Sequence, residues 1–323
     1  MSRPEAPVVS VVLPVRDGMP FLPPAVSSIL GQSFTAFELL VVDDGSRDGT
    51  PEYLAGLADA RVRVMPSPGR GLAAALNAGL AAARGRYLAR QDADDRSAPD
   101  RFARQVAWLD AHPSVAVLAT CARVVDQNDR VVDDEWTRTI ARQQDPAQSP
   151  AEIRRLMPLT CCLTHGSVMA RTHVLGSAGG YDPATVPAED YDLWLRLLPD
   201  HDFAKLPERL YDYRVHASQS GARRREEQTA RVIEAKLRFV RRQVPALPSP
   251  ARLALPCADR GAGLFRKYAP GEGFLVIADE GGPPADVVAV TDFAAVDRLA
   301  DDLTRRGYRQ FGNLFVRPLE RCA

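Results

Sequence analysis

The stretch that most constrains the fold of this chain is Val8 to Val15, an almost unbroken run of apolar and mostly β-branched residues. Such a run is typical of a strand covered on both faces in a parallel sheet, because a strand with one wet face alternates apolar and polar residues. Phe37 to Val42 repeats the pattern, and Phe21 to Gln32 between them has the apolar spacing of a helix with prolines in its first turn. Connections of this length are too long for hairpins. The sequence therefore predicts an α/β fold with an open, mixed but mainly parallel sheet and helices on both faces.

The same alternation of strands and helices continues through most of the chain. An exception is Thr137 to Pro150, which has no periodicity and is predicted as a surface loop. The further predicted elements are strands at Arg61 to Met65, Tyr87 to Gln91, Val115 to Val125 and Tyr211 to His216, and helices at Gly71 to Arg84, Asp100 to His112, Glu189 to Leu198 and Arg223 to Gln243.

Prolines crowd a short segment after the last of these helices, which is the composition of a linker. The sequence therefore predicts an α/β domain at 1–244, a Pro-rich linker at 245–257 and a small C-terminal α/β module at 258–323. The module holds no residue cluster that can be connected to chemistry. Its predicted order is strand, strand, helix, strand, at Gly273 to Ala278, Asp286 to Val290, Phe293 to Arg306 and Gln310 to Arg317.

The composition of the chain limits the kinds of molecule that the protein is expected to bind. The 41 basic and 41 acidic residues balance, so no field over the whole protein favours nucleic acid. The first residues lack a basic stretch followed by an apolar run, and no run of about 18 apolar residues occurs. A cytoplasmic protein without a signal peptide or membrane span is expected. The five cysteines form no CxxC pair and no zinc pattern, so they are predicted to be reduced and mostly buried.

Acidic residues follow two of the predicted strands where each strand ends. Asp92, Asp94 and Asp95 come after the fourth strand, and Asp43 comes after the second. The carboxyl ends of parallel strands form one rim at which ligands bind. Three carboxylates in such a short stretch repel one another unless a cation lies among them, and Mg2+ or Mn2+ prefers oxygen ligands while keeping positions for phosphates. The alternative is a plain acidic turn that caps the next helix.

Five motifs stand along the chain in order: VSVVLPVRDG at 9–18, LLVVDDGSRDGT at 39–50, GRGLAAALNAGLAAARGRYLARQDADD at 69–95, THGSVMAR at 164–171 and AEDYDLWLRL at 188–197. Together they resemble the family 2 glycosyltransferases of the GT-A fold, in particular the bacterial enzymes that build capsular polysaccharides and exopolysaccharides. One such motif would be weak, whereas five in order are specific. The resemblance covers residues 8 to 243.

The resemblance implies a nucleoside-diphosphate sugar as donor, with a UDP-sugar first among the candidates, a divalent metal, and inversion by one in-line displacement. A metal bridging the leaving diphosphate stabilises the charge that develops there. Matching positions assign Asp94 to the metal and Asp190 to the base that takes the proton of the acceptor hydroxyl. The donor contacts that match are Pro14 and Val15 beside the nucleotide, Asp43 and Arg70 at the nucleobase or ribose, and Asp92 near the ribose and the metal.

Plainer alternatives stay open for several of these residues. Arg70 can be a solvated loop arginine, and Asp44 can cap the turn that follows it. Glu189 and Asp190 can be ordinary acidic residues of a helix first turn. If they do serve the reaction, one is expected to face the cleft and the other solvent or a cation, because neighbours on one helix turn diverge. Glu189 is then a possible donor or acceptor contact.

Two histidines need the same comparison. Through the spacing of Tyr213 and His216, the resemblance implies His216 as a further metal ligand. His165 is a candidate donor or acceptor contact. A histidine beside a metal and diphosphate can serve in either way. The alternative is that each is a satisfied polar residue at the end of a strand.

Departures from the family pattern bear on the acceptor. Processive synthases carry a Gln-x-x-Arg-Trp motif after the base, and none of the three tryptophans stands in that context, so a non-processive enzyme is expected. Leu76 precedes Asn77 where many relatives have arginine. The acceptor implied is a glycan or a lipid-linked glycan. The arginine-rich helix at 223–242 is either a solvated helix or a peripheral contact with anionic lipid at the inner face of the cell membrane.

Other classes of protein fit the sequence less well. A dehydrogenase would need G-x-G-x-x-G after the first strand, where Arg16 to Pro20 stands instead, and a sugar-nucleotide pyrophosphorylase would need a glycine-rich basic loop there. A catalytically inactive nucleotide-sugar-binding module of the same fold is distinguished from an enzyme only by donor turnover.

Overall fold

The computed structural model describes residues 6–67, 70–134, 149–158, 160–216 and 224–245, with short stretches at 247, 249, 251–254, 269, 274–277, 287–289, 304–305, 308–311 and 314–316. The chain forms two compact units, Met1–Arg154 with Cys161–Gln219, and Arg155–Thr160 with Ser220–Ala323. The first unit contains every residue predicted to take part in the chemistry. None of the described helices is long and apolar enough to cross a membrane.

One sheet organises the first unit. Its strands, in chain order, are β1 Val9–Val15, β2 Phe37–Asp43, β3 Val62–Pro66, β4 Tyr87–Arg90, β5 Arg96–Ser97, β6 Val115–Val125, β7 Met169–Arg171 and β8 Asp202–Arg214. Within the sheet they lie in the order β3-β2-β1-β4-β7-β6-β8-β5. The four neighbours β3, β2, β1 and β4 run parallel, β7 runs antiparallel to β4 and β6, and β8 runs parallel to β6 and antiparallel to β5. The predicted open, mixed sheet is therefore confirmed.

Helices cover the sheet because their apolar stripes match it. Every residue of β1 is buried, as a strand between two helical layers requires. In the helix Arg101–Ala111, the apolar stripe of Phe102, Val106 and Leu109 is buried. The helices described up to residue 216 are α1 Leu22–Leu30, α2 Thr50–Ala55, α3 Leu72–Ala82, α4 Arg101–Ala111, α5 Pro150–Leu156, α6 Thr172–Ser177 and α7 Glu189–Leu197.

Two predicted boundaries differ for identifiable reasons. The helix expected from Gly71 begins at Leu72, because Gly71 has a φ of 88° that a helix does not contain. The strand expected at Tyr211 to His216 is the end of the longer β8. Its first half was missed because Lys205 interrupts the apolar pattern, although this lysine is buried and its Nζ donates to the Cys162 carbonyl at 3.2 Å.

The second unit has its own sheet. It contains α8 Arg225–Gln243 and the strands β9 Ala251–Ala254, β10 Phe274–Ile277, β11 Val287–Ala289, β12 Arg309–Phe311 and β13 Leu314–Val316, in the order β10-β9-β11-β13-β12. The basic helix thus belongs to this unit, whereas the sequence prediction put it at the end of the first domain.

Two sequence predictions for this unit need correction. Strand β9 lies within the expected linker at 245–257, because Leu253 is fully buried and pairs within the sheet despite the neighbouring prolines. The single strand expected from Gln310 to Arg317 is two antiparallel strands, and Gly312-Asn313 between them is a dipeptide typical of hairpin turns. The loop predicted at Thr137 to Pro150 and the helix predicted at Phe293 to Arg306 lie almost entirely outside the described residues.

Candidate active site

The acidic loop that follows β4 gives its carboxylates different partners. Asp95 is 1% exposed, and its Oδ1 accepts the backbone N–H of Arg214 at 2.6 Å, so its role is structural. Asp92 forms an ion pair with Arg90, whose side chain is buried. Burial raises the pKa of Asp92, and the Arg90 guanidinium opposes that rise. The density of negative charge that favoured a bound cation is thus partly compensated by a cation of the protein itself.

Asp94 and His216 form the pair that fits a divalent metal. Oδ2 of Asp94, which is partly exposed, lies 2.9 Å from Nε2 of His216. Carboxylate oxygen suits Mg2+ and Mn2+, and imidazole nitrogen adds a ligand that Mn2+ accepts. Within the described part of the chain, no cluster of three or more His, Cys, Asp or Glu side chains could hold a metal. A metal on this pair would keep its other positions for diphosphate oxygens and water, so the residues fit the predicted cofactor.

A buried arginine of α4 fixes the acidic loop by hydrogen bonds. Arg101 is fully buried and donates Nη1 to Oε1 of Gln91 at 3.2 Å and to Oγ of Ser97 at 2.9 Å. Its Nη2 donates to the carbonyl oxygens of Arg90 at 3.0 Å and Val168 at 3.2 Å. Burial lowers the pKa of Arg101 to about 10, which still leaves it charged at neutral pH. Arg101 therefore fixes the loop on both sides of Asp92, at Arg90 and Gln91 before it and at Ser97 after it.

The predicted donor residues lie where β1 and β2 end. Val15 is paired with Asp43 across the two strands, and Pro14 is buried beside it. Oδ1 of Asp43 accepts the N–H of Ser46 at 3.0 Å and its hydroxyl at 2.6 Å. The structure therefore brings Pro14, Val15 and Asp43 together at the rim.

Asp44 holds the loop that carries Arg70. Its carboxylate, which is 4% exposed, accepts the backbone N–H of Arg70 at 3.0 Å and that of Gly71 at 2.9 Å. Its own N–H donates to the Val15 carbonyl at 2.8 Å. Asp44 thus fixes the start of α3 and not the turn that follows Asp44 in sequence. The reason is that the loop after β2 and the loop before α3 meet at the strand ends. The Arg70 side chain is exposed.

The two acidic residues at the start of α7 are less exposed than their position suggests. Glu189 is 5% exposed, so the solvent-facing alternative is wrong for this residue, and its Oε2 has no hydrogen-bond partner among the described residues. Asp190 is half-buried and accepts the backbone N–H of Tyr191 at 2.7 Å. Burial raises the pKa of Asp190, and burial together with the charge of Asp190 raises the pKa of Glu189 to about 7.

His165 is held by aromatic neighbours. Its Nε2 lies 3.0 Å from the hydroxyl of Tyr181, and its ring packs edge-on against Trp194 with centroids 6.0 Å apart. Burial and the charge of Arg90 hold the pKa of His165 well below its usual range, so the imidazole is neutral at pH 7. His165 therefore has the contacts of a satisfied polar residue, which is the alternative considered above.

Arg90 connects the two halves of the site. Besides its ion pair with Asp92, its charge lowers the pKa values of Glu189 and Asp190, which burial raises. Such an effect requires these carboxyls to lie near one guanidinium. The end of β4 and the start of α7 therefore converge, although they are far apart in sequence.

Sequence reasoning missed residues that hold this arrangement from inside. Tyr211 is fully buried, and its hydroxyl accepts the backbone N–H of Asp92 at 3.1 Å. A Cβ at Gly166 would lie 2.0 Å from that hydroxyl and 2.8 Å from Oδ2 of Asp92. Arg90 belongs to the motif at 69–95, but the sequence predicted no role for it. The available signal was its position two residues before Asp92, since a buried cation is the simplest partner for buried carboxylates.

Comparison with known proteins identifies the family. The profile of Glycosyl transferase family 2 matches residues 10–175, and the chain belongs to this family. EpsE of Bacillus subtilis (strain 168) is 34% identical over 200 residues, which are 60% of this chain and 68% of EpsE. The O-antigen biosynthesis glycosyltransferase WbnJ of Escherichia coli is 26% identical over 221 residues, which are 65% of this chain and 80% of WbnJ. The protein is therefore a glycosyltransferase.

Solved structures agree on the fold. Residues 1–349 of TarS from S. aureus, in complex with UDP-GlcNAc, superpose with a TM-score of 0.58 at 18% identity, covering 81% of this chain and 70% of that chain. The mannosyltransferase PcManGT of Pyrobaculum calidifontis, in complex with GDP-Man and Mn2+, gives 0.55 at 19% identity, covering 83% and 69%. The first unit has the GT-A fold, as the sequence predicted.

Proposed function

We propose that this glycosyltransferase moves a sugar from a nucleoside diphosphate to an acceptor hydroxyl, with inversion, one residue at a time, in the synthesis of a cell-surface polysaccharide or glycoconjugate. The observation that carries the proposal is the convergence around Arg90 of a carboxylate loop at the end of β4 and a carboxylate pair at the start of α7. A displacement needs these two features, one at the leaving diphosphate and one at the attacking hydroxyl.

The donor end is assigned to the rim of β1, β2 and β4. Pro14, Val15 and Asp43 line the nucleoside side, and Asp44 presents the loop of Arg70 to it. Asp94 and His216 would hold a divalent metal. A bound Mg2+ or Mn2+ would neutralise the charge that develops on the leaving diphosphate. Neighbours of similar fold carry UDP-GlcNAc in one case and GDP-Man with Mn2+ in another, which supports a nucleotide-sugar donor.

The acceptor end is assigned to Asp190. A half-buried carboxylate with a raised pKa is a stronger base than a solvated one, and a deprotonated Asp190 can take the proton of a hydroxyl that attacks from the face opposite the leaving group. Arg90 keeps this carboxylate ionised by opposing the effect of burial. The names of WbnJ and of the succinoglycan biosynthesis protein ExoO support a glycan or lipid-linked glycan as acceptor.

The donor is identified first. UDP-, GDP- and dTDP-sugars are screened with Mn2+ and with Mg2+ for a rise in melting temperature, because a ligand that binds only the folded state stabilises it. The sugar that stabilises the protein is then offered with candidate acceptors, and NMR of the product gives the anomeric configuration. Retention of configuration would contradict the single displacement. Donor binding without any turnover would favour an inactive binding module.

Asp190→Asn tests the base. The variant keeps the shape of the side chain but cannot accept a proton, so donor binding should persist while kcat falls by about 100-fold or more. Asp200→Asn, at an exposed site just after α7, is a control for the loss of one aspartate. If Asp190→Asn instead weakens donor binding and transfers normally at saturation, Asp190 is a binding residue and the base lies elsewhere.

A further inference from the structure

The loop of residues 178–181 is fixed to α3 by a single amide side chain. Nδ2 of Asn77 donates to the carbonyl oxygen of Tyr181 at 2.7 Å, and the N–H of Tyr181 donates to Oδ1 of Asn77 at 2.8 Å. The amide thus uses both of its ends on one residue, which fixes the orientation of that residue as well as its position. Asn77 and Tyr181 are 104 residues apart in sequence.

A glycine makes this contact possible. A Cβ at Gly180 would lie 2.4 Å from Oδ1 of Asn77, closer than real Cβ contacts allow. Gly179 and Gly180 also have φ values of 78° and 68°, which side chains rarely adopt. The turn is therefore shaped to receive the Asn77 amide.

The same loop is held on its other side by α7. Nη1 of Arg196 donates to the carbonyl of Ala178 at 2.5 Å and Nη2 to that of Gly180 at 2.6 Å, while Nε donates to Oδ2 of Asp192 at 2.8 Å. Asp192 is 2% exposed, so this arginine is aligned by a buried carboxylate. The loop therefore connects α3 directly to the helix that begins with Glu189 and Asp190.

The side chain that this loop delivers lies in the site. Tyr181 is 3% exposed, and its hydroxyl is the partner of Nε2 of His165 at 3.0 Å. Burial raises the pKa of this phenol, and the charges of Asp190 and Glu189 raise it further, which places the ring near both carboxyls. Asn77 thus acts on the site through Tyr181.

We propose that Asn77 is a positioning residue for the transfer reaction. It holds Tyr181, and through it His165, against the start of α7, and it fixes α7 relative to α3, whose preceding loop carries Arg70. This inference rests on the proposed transfer of a sugar to an acceptor hydroxyl. A displacement is sensitive to such alignment, because a misplacement of about 1 Å can cost about 100-fold in rate. Asn77 itself touches no reacting atom in this proposal.

The test compares Asn77→Ala with the wild type by steady-state kinetics at a temperature at which both are folded by circular dichroism. We expect kcat to fall about 10- to 100-fold, with the KM for the donor changing less than about threefold. Asn77→Asp keeps the acceptor for the Tyr181 N–H but sets a carboxylate against the Tyr181 carbonyl, so it should not restore kcat. A lower melting temperature with unchanged kcat would show a purely structural role and overturn the proposal, as would a raised KM with unchanged kcat.

A second variant keeps the test meaningful if Asn77→Ala is unstable. Gly180→Ala forces the Asn77 amide away from the loop and should lower kcat about 10-fold or more. Gly179→Ala is the matched control, because Gly179 has a similar φ of 78° but a Cβ there meets nothing within 4 Å, so it carries the same backbone strain without the clash. Gly179→Ala should cost much less kcat than Gly180→Ala. Equal losses in the two variants would contradict the proposal.

The proposed base can fail independently. If Asp190→Asn transfers normally while Asn77→Ala loses kcat, the base is wrong and the positioning role of Asn77 stands. If Asp190→Asn is inactive while Asn77→Ala keeps its full kcat, the base stands and the positioning role is wrong. The two outcomes are read from the same kinetic experiment.

Discussion

Arg90 is the residue on which the charges of the site depend. It is almost fully buried, and its charge lowers the pKa values of carboxyls on two elements, Asp92 in the loop after β4 and Glu189 and Asp190 at the start of α7. A buried arginine is stable only when negative groups surround it. Arg90 therefore makes the acidic loop and the start of α7 interdependent, since each supplies part of the negative charge that Arg90 requires.

Asp94→Ala tests the metal at the level of one residue. The side chain is partly exposed and its described partner is His216, so its loss should abolish transfer without unfolding the protein. Excess chelator should do the same to the wild type, and added Mn2+ should restore activity to the wild type alone. Asp200→Ala, at an exposed position just after α7, is the control. Full activity of the wild type in excess chelator would rule out the assigned metal.

Glu189→Gln tests the buried carboxyl through stability. Burial and the charge of Asp190 raise the pKa of Glu189 from 4.5 to about 7, so the folded protein favours the protonated form. The contribution of this group to stability is complete below about pH 4.5 and is lost as the pH rises through about 7. Glutamine carries no such charge. The free energy of unfolding of the variant relative to the wild type should therefore rise, by on the order of 1 to 3 kcal/mol, between pH 5 and pH 8.

Urea unfolding at several pH values measures this difference. Glu52→Gln, at an exposed position of α2, controls for the loss of one glutamate. A difference between Glu189→Gln and the wild type that stays constant from pH 5 to pH 8 would show that Glu189 ionises alike in the folded and unfolded states.

At the scale of elements, the contact of the short 3-10 helix His165–Ser167 with β8 fixes the acidic loop. Gly166 meets the hydroxyl of Tyr211 on β8, and no side chain fits between them. Gly166→Ala should therefore displace Tyr211 or Asp92, lowering the free energy of unfolding by about 1 to 3 kcal/mol and activity by about 100-fold. Gly176→Ala, which has free space, should cost neither. Normal stability and activity of Gly166→Ala would show that β8 can move without affecting Asp92.

The elements differ in how far the sequence predicts them. The strand Val9–Val15 and the helix α4 were predicted, because burial on both faces leaves a continuous apolar run and burial on one face of a helix leaves a periodic one. Arg101 and Lys205 leave no such trace, because each is buried by partners distant in sequence, such as the carbonyls of Val168 and Cys162. The order of motifs placed the candidate site residues. The hydrogen bonds that hold them, including both bonds of Asn77, were not predictable from spacing.

At the scale of the whole molecule, the basic helix α8 bears on where the enzyme acts. Residues 223–242 contain eight basic and three acidic residues on a chain with no net charge. Some of these basic residues are paired with glutamates of the same segment, since Arg224 pairs with Glu227 and Arg231 with Glu234, and Lys236 is 6% exposed. The charge available to a membrane is therefore smaller than the residue count suggests.

Enough positive charge remains for a salt-dependent contact with anionic lipid, because each basic residue near such a surface contributes about 1 kcal/mol within a Debye length. We expect the protein to co-sediment with vesicles that contain phosphatidylglycerol at low salt and to be released as the salt is raised. Arg241→Gln with Arg242→Gln, in the last turn of α8, should weaken the binding. Arg86→Gln with Arg104→Gln removes the same charge from exposed sites of the first unit and should not. Equal recovery in the supernatant with anionic and neutral vesicles at low salt would leave α8 as a solvated helix.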